Sequence, residues 1–192
     1  KRVEGVVIAE VDPATKQPIK GTEVLYECDT LLLSCGLIPE NELTREAGIK
    51  INPITNGPEV NQFMQTSCEK VFACGNVVHV NDLVDNVTDE SLRAGKYAAQ
   101  YALGTLPKAE EIPSVTGNNV RYICPQRICP DAPAKLFFRA GAPKLGVTMK
   151  VYADDKEIYS KKLIKINPGE MEHVEVTPEQ MKGVSAIKIE VI

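Results

Sequence analysis

Two short segments of the sequence place a glycine close behind an apolar run, where a ligand could meet bare backbone. Leu31-Leu32-Leu33 and Val71-Phe72-Ala73-Cys74 are each predicted to be a strand buried on both faces. The first is followed by Gly36, and the second by Gly75 and Asn76. Ligands of open α/β sheets lie just beyond the carboxyl ends of strands, and glycine admits them without an intervening Cβ. The sequence predicts that Gly36 and Gly75 lie side by side at such a site, with Asn76 reaching a ligand hydroxyl. Purely structural glycines are the alternative interpretation.

His79 is a candidate acid–base residue beside this site, because histidine titrates near neutral pH. It stands in a loop with Asp82 and Asp85, which are also typical loop-capping residues. A loop histidine without a catalytic role is therefore the alternative. His173, on a strand predicted in the tail, is expected to face solvent.

Cys124 and Cys129 have a spacing that could form a dithiol or half of a metal site. Zinc needs four ligands, and no further cysteine or histidine stands near this pair in the sequence. We therefore predict two incidental thiols beside a turn and no metal site. Cys74 is interpreted as a buried structural thiol, with contact to the ligand as the alternative.

Together the two glycine segments resemble flavoproteins with two dinucleotide-binding domains, the pyridine nucleotide-disulfide reductase-like enzymes. The first is similar to the family's return crossing into the FAD domain, and the second to its late FAD motif, Ala-x-Gly-Asp after an apolar strand. The resemblance implies that Gly75 and Asn76 meet the ribityl and pyrophosphate region of FAD. It also implies that Val87 and Thr88 begin a helix whose N-terminus stabilises negative charge on reduced flavin.

Two departures from the family pattern are informative. Asn76 stands where the family has aspartate, and residues 73–85 are similar to a subgroup that includes the sarcosine oxidase α-type chain. No G-x-G-x-x-G loop occurs in the sequence, although the family uses such loops to hold the pyrophosphates of FAD and NAD(P)H. The resemblance therefore implies a C-terminal fragment of an enzyme that moves hydride between NAD(P)H, FAD and an unidentified substrate, with no activity by itself.

The resemblance also implies how residues 1–105 are organised, and local patterns predict the rest. Residues 1–30 are expected to be closing strands of the NAD(P)H domain, and residues 31–105 the C-terminal part of the FAD domain. A linker is predicted at 106–118 and a β-sandwich-like domain at 119–192. The predicted fold class is thus an α/β remnant of a two-domain flavoprotein followed by a small all-β domain.

Local patterns position these segments on predicted elements. Residues 3–11 and 22–27 favour strands separated by a turn at Asp12. A short helix is predicted at 41–47, ending at Gly48, and a longer helix from an N-cap at Thr88 to Gly104.

The tail, in contrast, alternates strands and turns without a helix of useful length, which is typical of a small antiparallel sandwich. Its predicted strands are 120–123, 135–139, 147–153, 157–166, 172–176 and 185–192.

Composition narrows the class of partner. The chain is 43% hydrophobic and 25% charged, with 22 basic and 26 acidic side chains and a net charge of −4. It has no basic run typical of nucleic-acid binding and no apolar stretch that would span a membrane. No secretory signal is visible and the six cysteines are expected to be reduced, so we expect a cytoplasmic location. The expected partners are an upstream part of its own parent chain and, through the exposed apolar strands, other copies of itself. The alternative function is a non-catalytic interaction module carried by the β-rich tail.

Overall fold

The structure is a computed structural model that describes residues 2–34, 36–108 and 110–192. It divides the chain into two units, Lys1–Leu37 and Ile38–Ile192. Across the described ranges the fold is mixed α/β, with several sheets and few helices.

The first unit contains one antiparallel strand pair. Strand β1 (Val6–Ile8) pairs with β2 (Val24–Tyr26), and both lie within the longer strands predicted at 3–11 and 22–27. The Asp12 carboxylate accepts hydrogen bonds from the backbone N–H groups of Ala14 (3.0 Å) and Thr15 (2.7 Å). The turn predicted at Asp12 is therefore confirmed.

The strand predicted at Leu31–Leu33 is wrong. These leucines lie outside any strand, and they are 47%, 89% and 74% exposed. A doubly buried strand needs neighbours to bond its peptide groups and layers to cover its side chains. Among the described residues, β1 and β2 pair only with each other, so no partner remains for this run.

Loops dominate the first part of the second unit. Helix α1 (Glu42–Glu46) forms where a short helix is predicted, and the chain leaves it through Gly48 at φ 69°. The strand predicted at Val71–Cys74 is wrong, because only Phe72 forms a bridge, to Gln65. Here too the apolar run lacks the ladder that a strand requires.

Helix α2 (Val84–Ala102) follows a single 3₁₀ turn at Gly75–Val77. The predicted stop at Gly104 is confirmed, since this residue has φ 70° and its N–H bonds to the Tyr101 carbonyl (3.0 Å). None of the described helices is long and apolar enough to cross a membrane.

Eight strands in the tail form two sheets. The first has five strands in the order β5-β3-β10-β7-β8, and the second has three in the order β4-β6-β9. All pairs are antiparallel except β3 with β10. The strands are β3 (Ile112–Thr116), β4 (Val120–Cys124), β5 (Arg127–Ile128), β6 (Ala134–Ala140), β7 (Lys144–Ala153), β8 (Lys156–Ile166), β9 (Glu172–Val176) and β10 (Ile187–Val191), with a short helix α3 (Pro178–Met181) before β10.

Strand β3 lies inside the segment predicted as a linker, 106–118. Pro113 removes one N–H from this strand, but the Ser114 N–H bonds to the Gln126 carbonyl (3.0 Å) and the Gly117 N–H to the Ile189 carbonyl (2.7 Å). The prolines and glycine that indicate a linker therefore occur in and beside a paired strand.

The two sheets of the tail share one hydrophobic core. Leu136 and Phe138 of β6 are fully buried with Met149 of β7 and Ile189 of β10. His173 on β9 is exposed, as predicted. A core formed by both layers is what allows strands of this length to be stable.

Candidate functional site

Gly75 begins the 3₁₀ turn in front of helix α2 and is buried against it. Its φ is 73°, and a Cβ at this position would lie 3.2 Å from Cγ1 of Val87. Its N–H donates to the Glu90 carboxylate at 2.8 Å. Glycine is required here by the backbone conformation and by the close approach of the helix. Because the Gly75 N–H already donates to Glu90, it is not free to donate to a ligand. The backbone at Gly75 could still lie close to one.

Asn76 is exposed immediately after this glycine. Its side-chain Oδ1 accepts a hydrogen bond from the Asn81 backbone N–H at 3.0 Å. This bond closes the loop and leaves the side chain on its outer surface. The position suits contact with a polar ligand, and that contact stays a prediction.

The start of α2 differs from the prediction. The helix begins at Val84, four residues before Thr88, and Thr88 Oγ1 instead donates to the Val84 carbonyl within the helix (3.0 Å). Among the described residues no side chain caps the helix at Leu83, which has an extended conformation. Leu83 and Val84 are 60% and 75% exposed, so apolar, solvent-accessible residues stand at the end of α2 that no described side chain caps. Val87 and Thr88 therefore lie one turn beyond the helix start.

His79 lies in the loop, as the sequence predicts, and it is buried there. Its side chain is 1% exposed, and Nε2 lies 2.7 Å from Oε1 of Glu90. On the other side of the ring, Nδ1 lies 3.4 Å from the hydroxyl of Tyr122. The ring is thus enclosed between α2 and the tail, and an acid–base role for His79 stays a prediction.

The surroundings of His79 favour its charged form. Burial lowers the pKa of His79, but the Cys124 thiol and the Glu90 carboxylate outweigh it, and the pKa is raised well above 6.5. The imidazolium then donates from both nitrogens, to Glu90 and to the Tyr122 oxygen. The pair is a buried, hydrogen-bonded ion pair rather than an exposed acid or base.

Asp82 and Arg139 tie the same loop to the tail. The Arg139 guanidinium pairs with Asp82, and its Nη1 also donates to the Gly169 carbonyl at 2.7 Å. Asp82 accepts a further bond from the Met171 N–H at 2.7 Å. Asp82 thus has the loop-fixing role predicted as the alternative to catalysis. Asp85, the other acidic residue of this segment, lies exposed in the first turn of α2.

Cys74 lines an apolar cleft of about 530 Å³ within the second unit. Ile49, Val71, Ala73 and Val77 contribute to its wall, with Leu43 of α1 at its rim. Cys74 is half-buried rather than buried. The cleft therefore lies along one side of the apolar run Val71–Cys74, and this side is not covered by other described residues.

Cys124 and Cys129 are both buried. The Gln62 side chain holds Cys129, since its Nε2 donates to the carbonyl (2.6 Å) and its Oε1 accepts from the N–H (2.8 Å). In the part of the chain that the structure describes, no group of three or more His, Cys, Asp or Glu side chains could hold a metal ion. These contacts agree with structural thiols.

Gly36 belongs to the first unit and Gly75 to the second. Gly36 is exposed at φ 86°, and a Cβ added to it would meet no atom within 4 Å. Its conformation alone accounts for the glycine. The predicted side-by-side placement of the two glycines stays a prediction.

Three residues of this site, Glu90, Tyr122 and Arg139, are missed by reasoning from the sequence. An N-cap at Thr88 would put Glu90 in the first turn of the helix, a position typical of exposed acidic side chains, yet it is 1% exposed. One signal is available: Glu90 stands four residues before Ala94, the other buried residue of α2, so both lie on one helix face. A carboxylate on a buried face requires a partner, but nothing local identifies His79.

The first half of the chain matches a known protein family. A profile of the family described as pyridine nucleotide-disulphide oxidoreductase matches residues 2–100. No solved structure matches the chain.

Three curated proteins are similar to parts of the chain. An NADH oxidase of Methanocaldococcus jannaschii is 33% identical over 90 residues, covering 44% of this chain and 20% of that protein. An assimilatory nitrate reductase electron transfer subunit of Bacillus subtilis is 33% identical over 78 residues, covering 41% and 10%. An NAD(P)H sulfur oxidoreductase (CoA-dependent) of Pyrococcus abyssi is 36% identical over 59 residues, covering 31% and 13%. The matches span at most 20% of the length of these relatives.

Proposed function

This chain belongs to the pyridine nucleotide-disulphide oxidoreductase family, and from that premise we propose that it is the C-terminal part of a flavin-dependent oxidoreductase. In the parent protein, hydride passes between NAD(P)H, FAD and a substrate still to be identified. The names of two relatives, NADH oxidase and NAD(P)H sulfur oxidoreductase, support nicotinamide chemistry. The short share of each relative that matches supports a longer parent.

The observation that carries this proposal is the open N-terminus of α2 beside Gly75 and Asn76. Its first N–H groups lack a side-chain cap among the described residues, and Leu83 and Val84 expose apolar surface around them. An uncapped helix end favours negative charge, and flanking apolar side chains suit a flat aromatic ring. These residues fit the edge of an isoalloxazine ring.

In this proposal each part of the chain contributes to orientation and electrostatics. FAD, when bound, supplies the hydride chemistry. Asn76 would hold a ribityl hydroxyl, and the turn at Gly75 would keep the backbone close enough for that contact. Leu83 and Val84 would exclude water from the ring edge, in the place that the sequence predicts for Val87 and Thr88.

The chain by itself lacks the pyrophosphate cradle. No G-x-G-x-x-G loop occurs in it, and the phosphates of FAD need such a loop at a helix N-terminus. We therefore propose that an upstream part of the parent chain supplies this loop and covers the cleft beside Cys74. The 192-residue chain alone is then inactive.

Asn76 supports a finer assignment within the family. It replaces the usual aspartate of the Ala-x-Gly-Asp motif, and residues 73–85 resemble the sarcosine oxidase α-like subgroup. An asparagine both donates and accepts hydrogen bonds, so it can serve the same hydroxyl without adding a charge near reduced flavin.

The substitution Leu83→Asp tests the flavin contact in the longer parent protein. An aspartate at the N-cap should stabilise α2 by about 1 kcal/mol while placing a carboxylate against the reduced ring. We expect a higher unfolding midpoint together with weaker FAD binding and a lower flavin reduction potential. A matched change, Asp85→Asn, removes charge from the first turn of the helix and should raise the potential.

A Leu83→Asp protein with a higher unfolding midpoint and a lower flavin reduction potential would support the proposal. The gain in helix stability and the loss in potential would then be two distinct effects of one carboxylate. If Leu83→Asp stabilises the protein and leaves FAD affinity and potential unchanged, the helix end does not contact flavin. Asn167→Ala, in a turn of the tail, serves as a control with no expected effect on FAD.

A further inference from the structure

Glu90 connects helix α2 to the start and the middle of the short loop that precedes it. Its Oε2 accepts the Gly75 N–H at 2.8 Å, and its Oε1 lies 2.7 Å from Nε2 of His79. Both Glu90 and His79 are 1% exposed. A buried carboxylate with two such partners fixes the backbone of the loop relative to the helix.

The tail supplies the next partner of His79. Nδ1 of the ring lies 3.4 Å from the hydroxyl of Tyr122 on β4, and the ring meets Phe137 of β6 edge-on at 6.0 Å between centroids. Tyr122 and Phe137 are themselves 7% and 2% exposed. The three-stranded sheet therefore forms one wall of the histidine pocket.

Arg139 of β6 completes the connection. Its Nε donates to the Tyr122 oxygen at 3.2 Å, and its Nη2 donates to the Val80 carbonyl at 3.0 Å and also pairs with Asp82. Burial lowers the pKa of Arg139, but Asp82 and Tyr122 outweigh it and raise the pKa, so the guanidinium stays charged. Two residues on neighbouring strands thus hold the loop at its middle and at its end.

We propose that Tyr122 and Arg139 are positioning residues for the Gly75–Leu83 loop, through which the three-stranded sheet of the tail sets the geometry of the flavin contact. The inference rests on the proposed function, since it deepens the role of the same loop. It gives the tail a purpose: the sheet braces the loop against which a cofactor would rest.

The arrangement favours positioning over simple packing. A ligand contact must be held within a fraction of an ångström by residues whose own side chains are locked. Here four points of the loop, at residues 75, 79, 80 and 82, are bonded to buried or half-buried groups of α2 and the sheet. Asn76 and Leu83, both exposed, stand between and beside these fixed points.

The first test uses the 192-residue chain and amide hydrogen exchange followed by NMR. Tyr122→Phe keeps the ring and removes the hydroxyl that links His79 with Arg139. We expect the protection of the Gly75 amide to fall roughly fivefold, with a shift of the His79 ring nitrogen signals. Tyr159→Phe, on β8 and 39% exposed, removes the same group elsewhere in the tail and should change neither signal.

Unchanged Gly75 protection in Tyr122→Phe would overturn the inference. An equal loss of protection at Gly75 and at Met149, in the core of the tail, would overturn it too, because the hydroxyl would then serve global stability. The conservative variant Arg139→Lys is a second probe, because lysine keeps the positive charge that pairs with Asp82. It should lower the protection of the Gly75 amide less than Arg139→Met does.

The second test measures FAD dissociation constants in the longer parent protein. Tyr122→Phe should weaken FAD binding roughly fivefold, while Tyr159→Phe leaves it unchanged. A loosened Gly75 amide with unaltered FAD affinity would contradict the positioning role. If the unaltered parent binds no FAD at all, the proposed function fails, whereas the effect of Tyr122 on the loop is judged by the exchange result alone.

Discussion

Two regions of the second unit, the loops of residues 38–83 and the strands of residues 112–191, are stabilised in different ways. In residues 38–83, all of which the structure describes, isolated bridges replace ladders, and buried amides such as Asn41 and Gln62 bond to the backbone. In residues 112–191, two sheets enclose a continuous apolar core. Apolar runs occur in both regions, and they become strands only where a second run pairs with them.

Phe138→Ala should have the largest effect, because it removes a fully buried ring from the core of the tail. We expect a loss of about 3–5 kcal/mol in the free energy of unfolding, measured by urea denaturation with tyrosine fluorescence. If the tail braces the loops, amide protection at Gly75 should fall with that of the strands. Loops that keep their protection while the strands lose theirs would show that the two regions are independent.

Gly57→Ala should have the next largest effect, and it acts on the loop region. A Cβ at Gly57 would overlap the carbonyl group of Val78 and lie 2.6 Å from the carbonyl oxygen of Val77. Both contacts are with backbone, so we expect a loss of about 3 kcal/mol in the same denaturation experiment. Gly95→Ala on α2, where a Cβ meets nothing within 4 Å, should instead stabilise by up to about 1 kcal/mol. Equal effects of the two changes would contradict the close loop packing.

Asn41→Ala tests whether single side chains replace a ladder in the loop region. The Asn41 amide donates to the carbonyls of Asn56 (3.0 Å) and Val77 (2.7 Å). Both carbonyls would lose a buried partner, and we expect a loss of about 2 kcal/mol. Asn167→Ala, in a turn of the tail, should change the unfolding free energy by less than about 0.5 kcal/mol. A similar small value for Asn41→Ala would mean that water replaces its hydrogen bonds.

The pH dependence of unfolding reports on the contact between the two regions at His79. The pKa of His79 is raised well above 6.5 in the folded state, so the stabilisation is complete below about pH 6.5 and is lost as pH rises through the raised value. Urea midpoints measured from pH 6 upward should therefore decline, and His79→Gln should remove that part of the decline. Identical pH profiles for the two proteins would exclude the buried ion pair as its source.

Leu32→Ser should have the smallest effect on stability. Leu32 is 89% exposed, so the free energy of unfolding should change by less than about 0.5 kcal/mol. Its effect should appear in association, because the run Leu31–Leu33 exposes contiguous apolar surface. We expect light scattering to show less self-association than in the unaltered chain. The same change at Leu136, which is buried, should unfold the tail instead.

Much of the tail could be predicted from the sequence. Alternating side chains and turn residues such as Asp154-Asp155 predict strands that correspond to β4 and to β6 through β10. Strand β3 is missed because Pro113 is typical of a loop, and its pairing with β10 joins residues far apart in the chain. Pairing over such distances leaves no local signal.

The site was harder to predict than the fold. The glycine at residue 75 suits a positive φ, which few other residues tolerate. The helix start could not be predicted, because α2 begins after Leu83 without a capping side chain and Thr88 is the nearest residue with capping chemistry. The burial of His79 could not be predicted either, since it depends on Tyr122 and Phe137, which come from the tail.

Titration with FAD, monitored by visible absorbance, tests the proposed function most directly when it is run on the 192-residue chain and on the longer parent. We predict an unaltered spectrum of free flavin with the short chain and stoichiometric, saturable binding with the parent. Tight one-to-one binding by the short chain, or a parent that takes up no flavin, would contradict the proposal.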